Sequence, residues 1–382
     1  MQFSEVIGQK RVKQSILQSA REGRISHAQL FAGPEGNGAL PLVMAYIQYL
    51  FCKNKSETDS CGECPECRKI AKLMHPDVHF VYPLSLTKSK EGGIRGTESK
   101  SGGISKSIDV FHQWKEAFLQ NPYLSLADWM EALEVENKQM VIGVDEAREI
   151  IHQLSLTSFE GSYKVVIMWM AEKMNITTAN KILKVLEEPP DKTIFILITE
   201  NSHLPITILS RTQLTRVPRI DEEEMIADLI CKYELTGEAA RYIAQTSEGN
   251  YRVARILASD KEHTDFHFQK FAEWMRICMK LNGEGIIGWV TEMAGIGREK
   301  QKQFMAYCIQ LIRQSLLLGV GFPVRLRQNE EEFLIKFSTY LPFSQAALIA
   351  EELNKVFHAI ERNANPKILF MSTSIRIHQL LK

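Results

Sequence analysis

Ala28-Gln29-Leu30-Phe31-Ala32-Gly33-Pro34-Glu35-Gly36-Asn37-Gly38-Ala39-Leu40 is the stretch whose reading decides the fold. A short apolar run ends at a Gly-Pro pair. Glycines then lead into residues 39–52, an apolar segment of helical length. A buried strand, a glycine loop and a helix, in that order, form the setting of a phosphate-binding loop. The glycines permit the tight turn and leave backbone N–H groups facing an anion. A working loop next needs Lys, to neutralise the β- and γ-phosphates, and then Ser or Thr, to hold Mg²⁺. Those two positions are Ala39 and Leu40, which can do neither. The loop Gly33, Gly36, Gly38, Ala39, Leu40 is therefore degenerate, and nucleotide binding by it is an open question.

Working outward, residues 78–82, 164–170 and 193–199 read as further buried strands, and 178–186 as a helix with apolar residues at 179, 182, 183 and 186. Pro189-Pro190 ends that helix. Strands alternating with helices predict a parallel sheet covered on both faces. A nucleotide hydrolase places an Asp, usually followed by a Glu, just past a later strand to hold Mg²⁺ and orient water. Here Met170 and Ala171 fill those places, and Glu172, one residue on, is expected to point elsewhere. Two independent losses predict a chain that does not hydrolyse ATP.

The chain has 382 residues, with 46 Lys plus Arg and 46 Asp plus Glu, so nucleic-acid contact needs a local patch or partner subunits. An apolar share of 45% excludes a fully disordered chain. No apolar run is long enough to span a bilayer, and the first residues lack a secretory pattern, so the expected compartment is the cytoplasm. Of seven cysteines, Cys52, Cys61, Cys64 and Cys67 fall within sixteen residues. That grouping suits a tetrahedral structural zinc site, with no open position for water. Cys231, Cys278 and Cys308 are expected to be buried thiols.

From about residue 220 the strand signals vanish. Residues 222–233, 238–245 and 251–258 read as short helices. In 344–360 the apolar positions 349, 353, 356 and 360 mark a helix seam. Residues 84–107 fit neither half. They hold five basic residues (Lys88, Lys90, Arg95, Lys100, Lys106) against two acids (Glu91, Glu98), which reads as a surface loop or as a basic arm for DNA phosphate. Arg211, in Ser210-Arg211-Thr212, is either a surface residue or an arginine finger offered to a neighbouring subunit's nucleotide.

Together these pieces resemble bacterial clamp-loader subunits of the AAA+ family. The resemblance is carried by Phe3-Ser4-Glu5-Val6-Ile7-Gly8-Gln9, by Arg24-Ile25-Ser26-His27 running into the glycine loop, and by the four-cysteine spacing. It extends through His75-Pro76-Asp77, Ala179-Asn180-Lys181-Ile182-Leu183-Lys184-Val185-Leu186-Glu187-Glu188-Pro189-Pro190, Ile208-Leu209-Ser210-Arg211 and Asn363-Ala364-Asn365-Pro366-Lys367-Ile368-Leu369. It is close over residues 1–218 and loose beyond.

The resemblance implies an α/β AAA+ domain over 1–218, with a zinc module at 52–67 and a Lys/Gly/Ser-rich insertion at 84–140. It further implies a helical lid over 219–262 and an all-α collar over 263–382. Ala39, Leu40 and Met170 favour the delta-prime type of DNA polymerase III subunit over the gamma and tau types, which keep the phosphate-binding lysine. The implied partners are gamma/tau- and delta-type subunits in a five-membered ring, a sliding clamp, and primed DNA through the assembled complex. Arg211 matches the family's finger arginine, with Thr212 in place of the usual Cys. Arg252 aligns with a nucleotide-sensing lid arginine. An active gamma/tau-type ATPase and a DNA-binding zinc protein on a P-loop-like scaffold are the alternatives.

Overall fold

Apolar strands buried on both faces build the first half of the molecule as three layers. The computed structural model describes residues 1–85, 106–135, 138–155, 163–200, 204–259, 261–322, 326, 328–362 and 364–381. The chain opens with α1 (Lys10–Arg21), β1 (Ala28–Ala32), α2 (Ala39–Phe51), α3 (Pro65–Ala71) and β2 (Val78–Val81). It continues through β3 (Leu84–Ser85), α4 (Phe111–Gln120), α5 (Leu126–Ala132), β4 (Met140–Val141), α6 (Val144–Ser155) and β5 (Lys164–Trp169). Then come α7 (Ile176–Glu187), β6 (Thr193–Thr199), α8 (Ile206–Leu209) and β7 (Gln213–Arg216).

Five strands form one parallel sheet in the order β2-β5-β6-β1-β7. Alternate side chains of β5 and β6 enter opposite cores, as the two-residue period of a strand requires. Val165, Ile167, Trp169, Ile194, Ile196 and Ile198 pack with α2, α4 and α5. Val166, Met168, Phe195 and Leu197 pack with α6 and α7. The α/β architecture expected of the sequence is thus observed, with helices on both faces.

Four of the sheet's strands are those that the apolar runs predict. The fifth, β7, is not among them, because Gln213-Leu214-Thr215-Arg216 is mostly exposed at the sheet edge and carries no apolar pattern. Nor does the sequence pattern announce the described part of the insertion. Residues 86–105, with Lys88, Lys90, Arg95 and Lys100, lie outside the described residues. Lys106 is tied to Glu149 at 2.7 Å. Beyond it, α4 and α5 deliver Trp114 and Trp129 into the core. Trp114 stacks on Tyr82 with ring centroids 4.3 Å apart and meets Trp129 edge-on at 5.4 Å. The short antiparallel pair β3–β4 closes the base of the insertion.

The rest is helical: α9 (Glu222–Tyr233), α10 (Gly237–Ser247), α11 (Tyr251–Ser259), α12 (Lys261–Lys280), α13 (Gly283–Gly295), α14 (Arg298–Gly319), α15 (Gln328–Tyr340), α16 (Phe343–Glu361) and α17 (Pro366–Leu381). By packing, the chain falls into two units. One is Met1–Gly237 with Ser247–Arg255, and the other Glu238–Thr246 with Ile256–Lys382. The second has its own core, in which Trp274 stacks on Trp289 at 4.5 Å and the seam Ile349, Leu353, Val356 and Ile360 is buried as the spacing predicts. Among the described residues, no single helix is long and apolar enough to cross a membrane.

Trp129 is fully buried and its Nε1 donates to the Pro83 carbonyl at 2.8 Å. Trp129→Ala removes that bond and leaves a large cavity, so it should cost about 3–5 kcal/mol. A urea unfolding midpoint for the first unit that stays at the parental value would contradict this packing.

Candidate functional site

Asn37 fixes the glycine loop. Its Nδ2 donates to the Val217 carbonyl at 2.8 Å, and its Oδ1 accepts from the Ala39 amide at 2.9 Å. That amide belongs to the first turn of α2, where an anion would otherwise find donors. Gly36 and Gly38 take left-handed φ values of +73° and +83°. A Cβ on Gly36 would meet Asn250 Oδ1 at 1.8 Å, and one on Gly38 would meet the Tyr123 ring at 3.0 Å. The Gly33 amide is held by the Thr199 carbonyl at 3.1 Å. Gln9, from the N-terminal motif, donates to the carbonyls of Asn37 (3.0 Å) and Pro218 (2.6 Å).

The residues that replace the phosphate-binding pair face inward. Ala39 and Leu40 are buried in the core of the first unit. Met170 is buried too, with a left-handed φ of +56° at the end of β5. What remains over the loop is a cavity of about 30 Å³, lined among others by Glu35, Asn37, Tyr123, Trp169, Thr199 and Glu200. That is room for about two water molecules.

Acids gather at this end of the sheet. Glu172 is among them: its Oε1 accepts from the Glu200 amide at 3.3 Å, and it does not line the cavity. Ala171–Lys173, which carries it, is a turn of 3₁₀-helix directly after β5. Burial, with the charges of Glu35 and Glu172 beside it, raises the Glu200 carboxyl to about 8. Arg252 also lies here. Its Nε and Nη2 each bond an oxygen of Asp128 at 2.7 Å, and its Nη1 is 3.7 Å from Glu35. Burial works against the charge of Asp128, yet the Arg252 bonds hold it below the usual carboxylate range. No pattern in residues 121–132 announces this partner.

Arg211 does not line the cavity. It follows α8, one-third exposed, with Nε and Nη2 on the Glu187 carboxylate and Nη1 donating to the Thr207 carbonyl at 2.9 Å. Two motifs far apart in sequence, Leu186-Glu187-Glu188 and Ser210-Arg211, are thereby joined.

The sulfurs of Cys52, Cys61, Cys64 and Cys67 all lie within 4.8 Å of one another. The Cys52–Cys61 and Cys61–Cys67 separations are 3.5 and 3.9 Å. A tetrahedral zinc with Zn–S bonds of about 2.3 Å needs sulfur edges of about 3.8 Å, so the set fits. The Cys64 and Glu63 amides bring the Cys61 thiol down to about 6, whereas burial raises Cys52 and Cys67. His75 braces the module. Its Nδ1 accepts from the Asp77 amide at 3.1 Å, which places the ring proton on Nε2, facing Glu66 at 3.2 Å. Glu66 also pairs with Lys53 at 3.1 Å. Such props orient ligand-bearing segments. Of the other cysteines, Cys278 and Cys308 are buried as expected, but Cys231 is exposed on α9. Its neighbours Ile230 and Lys232 are also solvent-facing, so that turn lies on the outer side of the helix.

The family described as "DNA polymerase III, delta subunit" matches residues 8–221. Among relatives, the chain is 26% identical over 261 residues to the DNA polymerase III subunit tau of Bacillus subtilis (strain 168), covering 67% of this chain and 37% of tau. It is 25% identical over 256 residues to that organism's subunit delta', covering 66% of this chain and 60% of the relative. The chain thus spans less than two thirds of either relative's length. A solved gamma subunit-related protein from Thermotoga maritima is similar at a TM-score of 0.41 and 15% identity, covering 96% of this chain and 99% of that one.

Two outcomes follow from the site. Elemental analysis of the purified chain should find about one zinc, and Cys64→Ser should lower it; a metal-free, fully folded chain would exclude the assignment. For Glu200 the folded value of about 8 stands above the ordinary 4.5. Its contribution to stability is therefore present below pH 4.5 and lost as pH rises through 8. Glu200→Gln should match the parent near pH 5 and exceed it in thermal midpoint near pH 9, flattening the decline by roughly the shift's worth.

Proposed function

The chain belongs to the DNA polymerase III delta-subunit family, and from that premise we propose that it is a catalytically silent, delta-prime-type member of an ATP-driven clamp loader. In this reading it sits in a five-subunit ring with gamma/tau- and delta-type chains. It helps place a sliding clamp on primed DNA during replication, as a non-hydrolysing subunit of the polymerase III holoenzyme. The observation that carries it is the burial of Ala39 and Leu40 where a cation and a hydroxyl belong.

The chain then contributes to hydrolysis only by presenting Arg211 to ATP held next door. The guanidinium carries a fixed charge and forked donors suited to a γ-phosphate. Within this proposal residues 1–218 are the AAA+ domain, 219–262 the lid and 263–382 the oligomerising collar. The zinc at Cys52, Cys61, Cys64 and Cys67 staples the excursion between α2 and β2 without taking part in chemistry. The similarity to tau favours a second reading, an active gamma/tau-type ATPase, at comparable identity.

Reconstituting the loader with parent or Arg211→Ala chain tests the proposal. The variant should assemble normally, while hydrolysis at the adjoining site falls by about 10³-fold or more, the usual contribution of an arginine finger. Normal hydrolysis by the variant ring would remove the finger assignment. Turnover of ATP by the isolated parent would establish the second reading instead.

A further inference from the structure

Residues 121–128 approach the glycine loop from the insertion, and Asn121, Tyr123 and Asp128 are each engaged by other parts of the chain. Asp128 sits in the first turn of α5. Its Oδ2 accepts from the Ser125 amide at 2.7 Å, and its two oxygens take Nε and Nη2 of Arg252 at 2.7 Å each. Asn121 Oδ1 accepts from Arg255, one turn further along α11. Between them Tyr123 lies against Gly38, with its ring centroid 4.7 Å from that of Tyr251 and its hydroxyl accepting from the Ile7 amide at 3.0 Å. Tyr251 completes the closure, its amide donating to the Gly36 carbonyl at 3.0 Å.

A glycine loop opening a helix, with an arginine at its mouth, is an arrangement that receives a phosphate. A carboxylate offers an arginine the same forked pair of acceptor oxygens. Here the pair comes from the chain itself, and the Ala39 amide is taken by Asn37. We infer that residues 121–128 are a built-in latch standing in for a nucleotide: Asp128 takes the arginine a phosphate would take, and Tyr123 covers the loop. The latch holds Tyr251–Arg255 against the glycine loop with no ligand bound. The inference rests on the silent-pocket half of the proposed function and not on Arg211.

The Tyr251 amide is the natural probe, because its hydrogen bond ends on the loop. Hydrogen exchange is to be measured on the isolated full-length chain and on Asp128→Ala, Arg252→Ala, the double variant and Ser125→Ala. Asp128→Ala and Arg252→Ala should each speed exchange at Tyr251 by about 10-fold or more, the effect of losing a buried bidentate charge pair. The double variant should exchange no faster than the faster single variant, since both remove one interaction. Ser125→Ala weakens the cap of α5 but keeps the arginine pair, so it should leave Tyr251 near the parental rate. Amides of the central strands β5 and β6, in the core of the same unit, report that each variant stays folded.

Unchanged exchange in Asp128→Ala, or additive effects in the double variant, would overturn the latch and leave the silent-pocket reading standing. Saturable protection of Gly36–Gly38 and Tyr251 in the parent by Mg·ATP would overturn the latch, and turnover of that ATP by the isolated chain would overturn the silent-pocket reading as well.

Discussion

The first unit depends on how one loop amide is satisfied. At the mouth of α2 the Ala39 N–H has no carbonyl beneath it, as at any helix start. Asn37 bends its side chain back to accept that proton, and with its other end grips the Val217 carbonyl beyond β7. A single amide side chain thus joins the loop between β1 and α2 to the segment leaving the sheet edge. With the loop so tied, Gly36 can accept from Tyr251 and Gly38 can lie against Tyr123. The anion nest survives as backbone shape while its Ala39 and Gly33 amides are taken internally.

The parts of the fold that repeat a simple period are legible in the sequence. β1, β5 and β6 are continuous apolar runs because both faces of their sheet are covered, and α7 shows its buried face at Ala179, Ile182 and Leu186. β7 is invisible for the opposite reason. An edge strand buries little, and Gln213-Leu214-Thr215-Arg216 is held by its backbone ladder to β1. Within the insertion, the glycines and lysines of 84–107 dominate the composition and mask Trp114 and Trp129. Those two residues are isolated in sequence and meet only in the folded core, edge to face with one another and both against Tyr82.

At the candidate site, losses are easier to read than gains. Ala39, Leu40 and Met170 stand out because a charged or metal-binding side chain is required in their places. The cysteine cluster is legible because four thiols within sixteen residues match the ligand count and close spacing that a tetrahedral metal demands. Asp128, Tyr123 and Glu187 are not legible. Each acts by meeting a residue more than twenty positions away, and no local spacing encodes such a meeting.

The placement of tryptophan gives the molecule two separate optical signatures. Of the five indoles, Trp129 and Trp169 both crowd against Trp114 in the first unit, while Trp274 and Trp289 lie almost parallel in the second, 12° apart. Rings this close couple electronically and quench one another. The near-ultraviolet dichroism of each group therefore reports the order of its own unit. Replacing either group with phenylalanine would leave a chain whose emission follows the melting of the other unit alone.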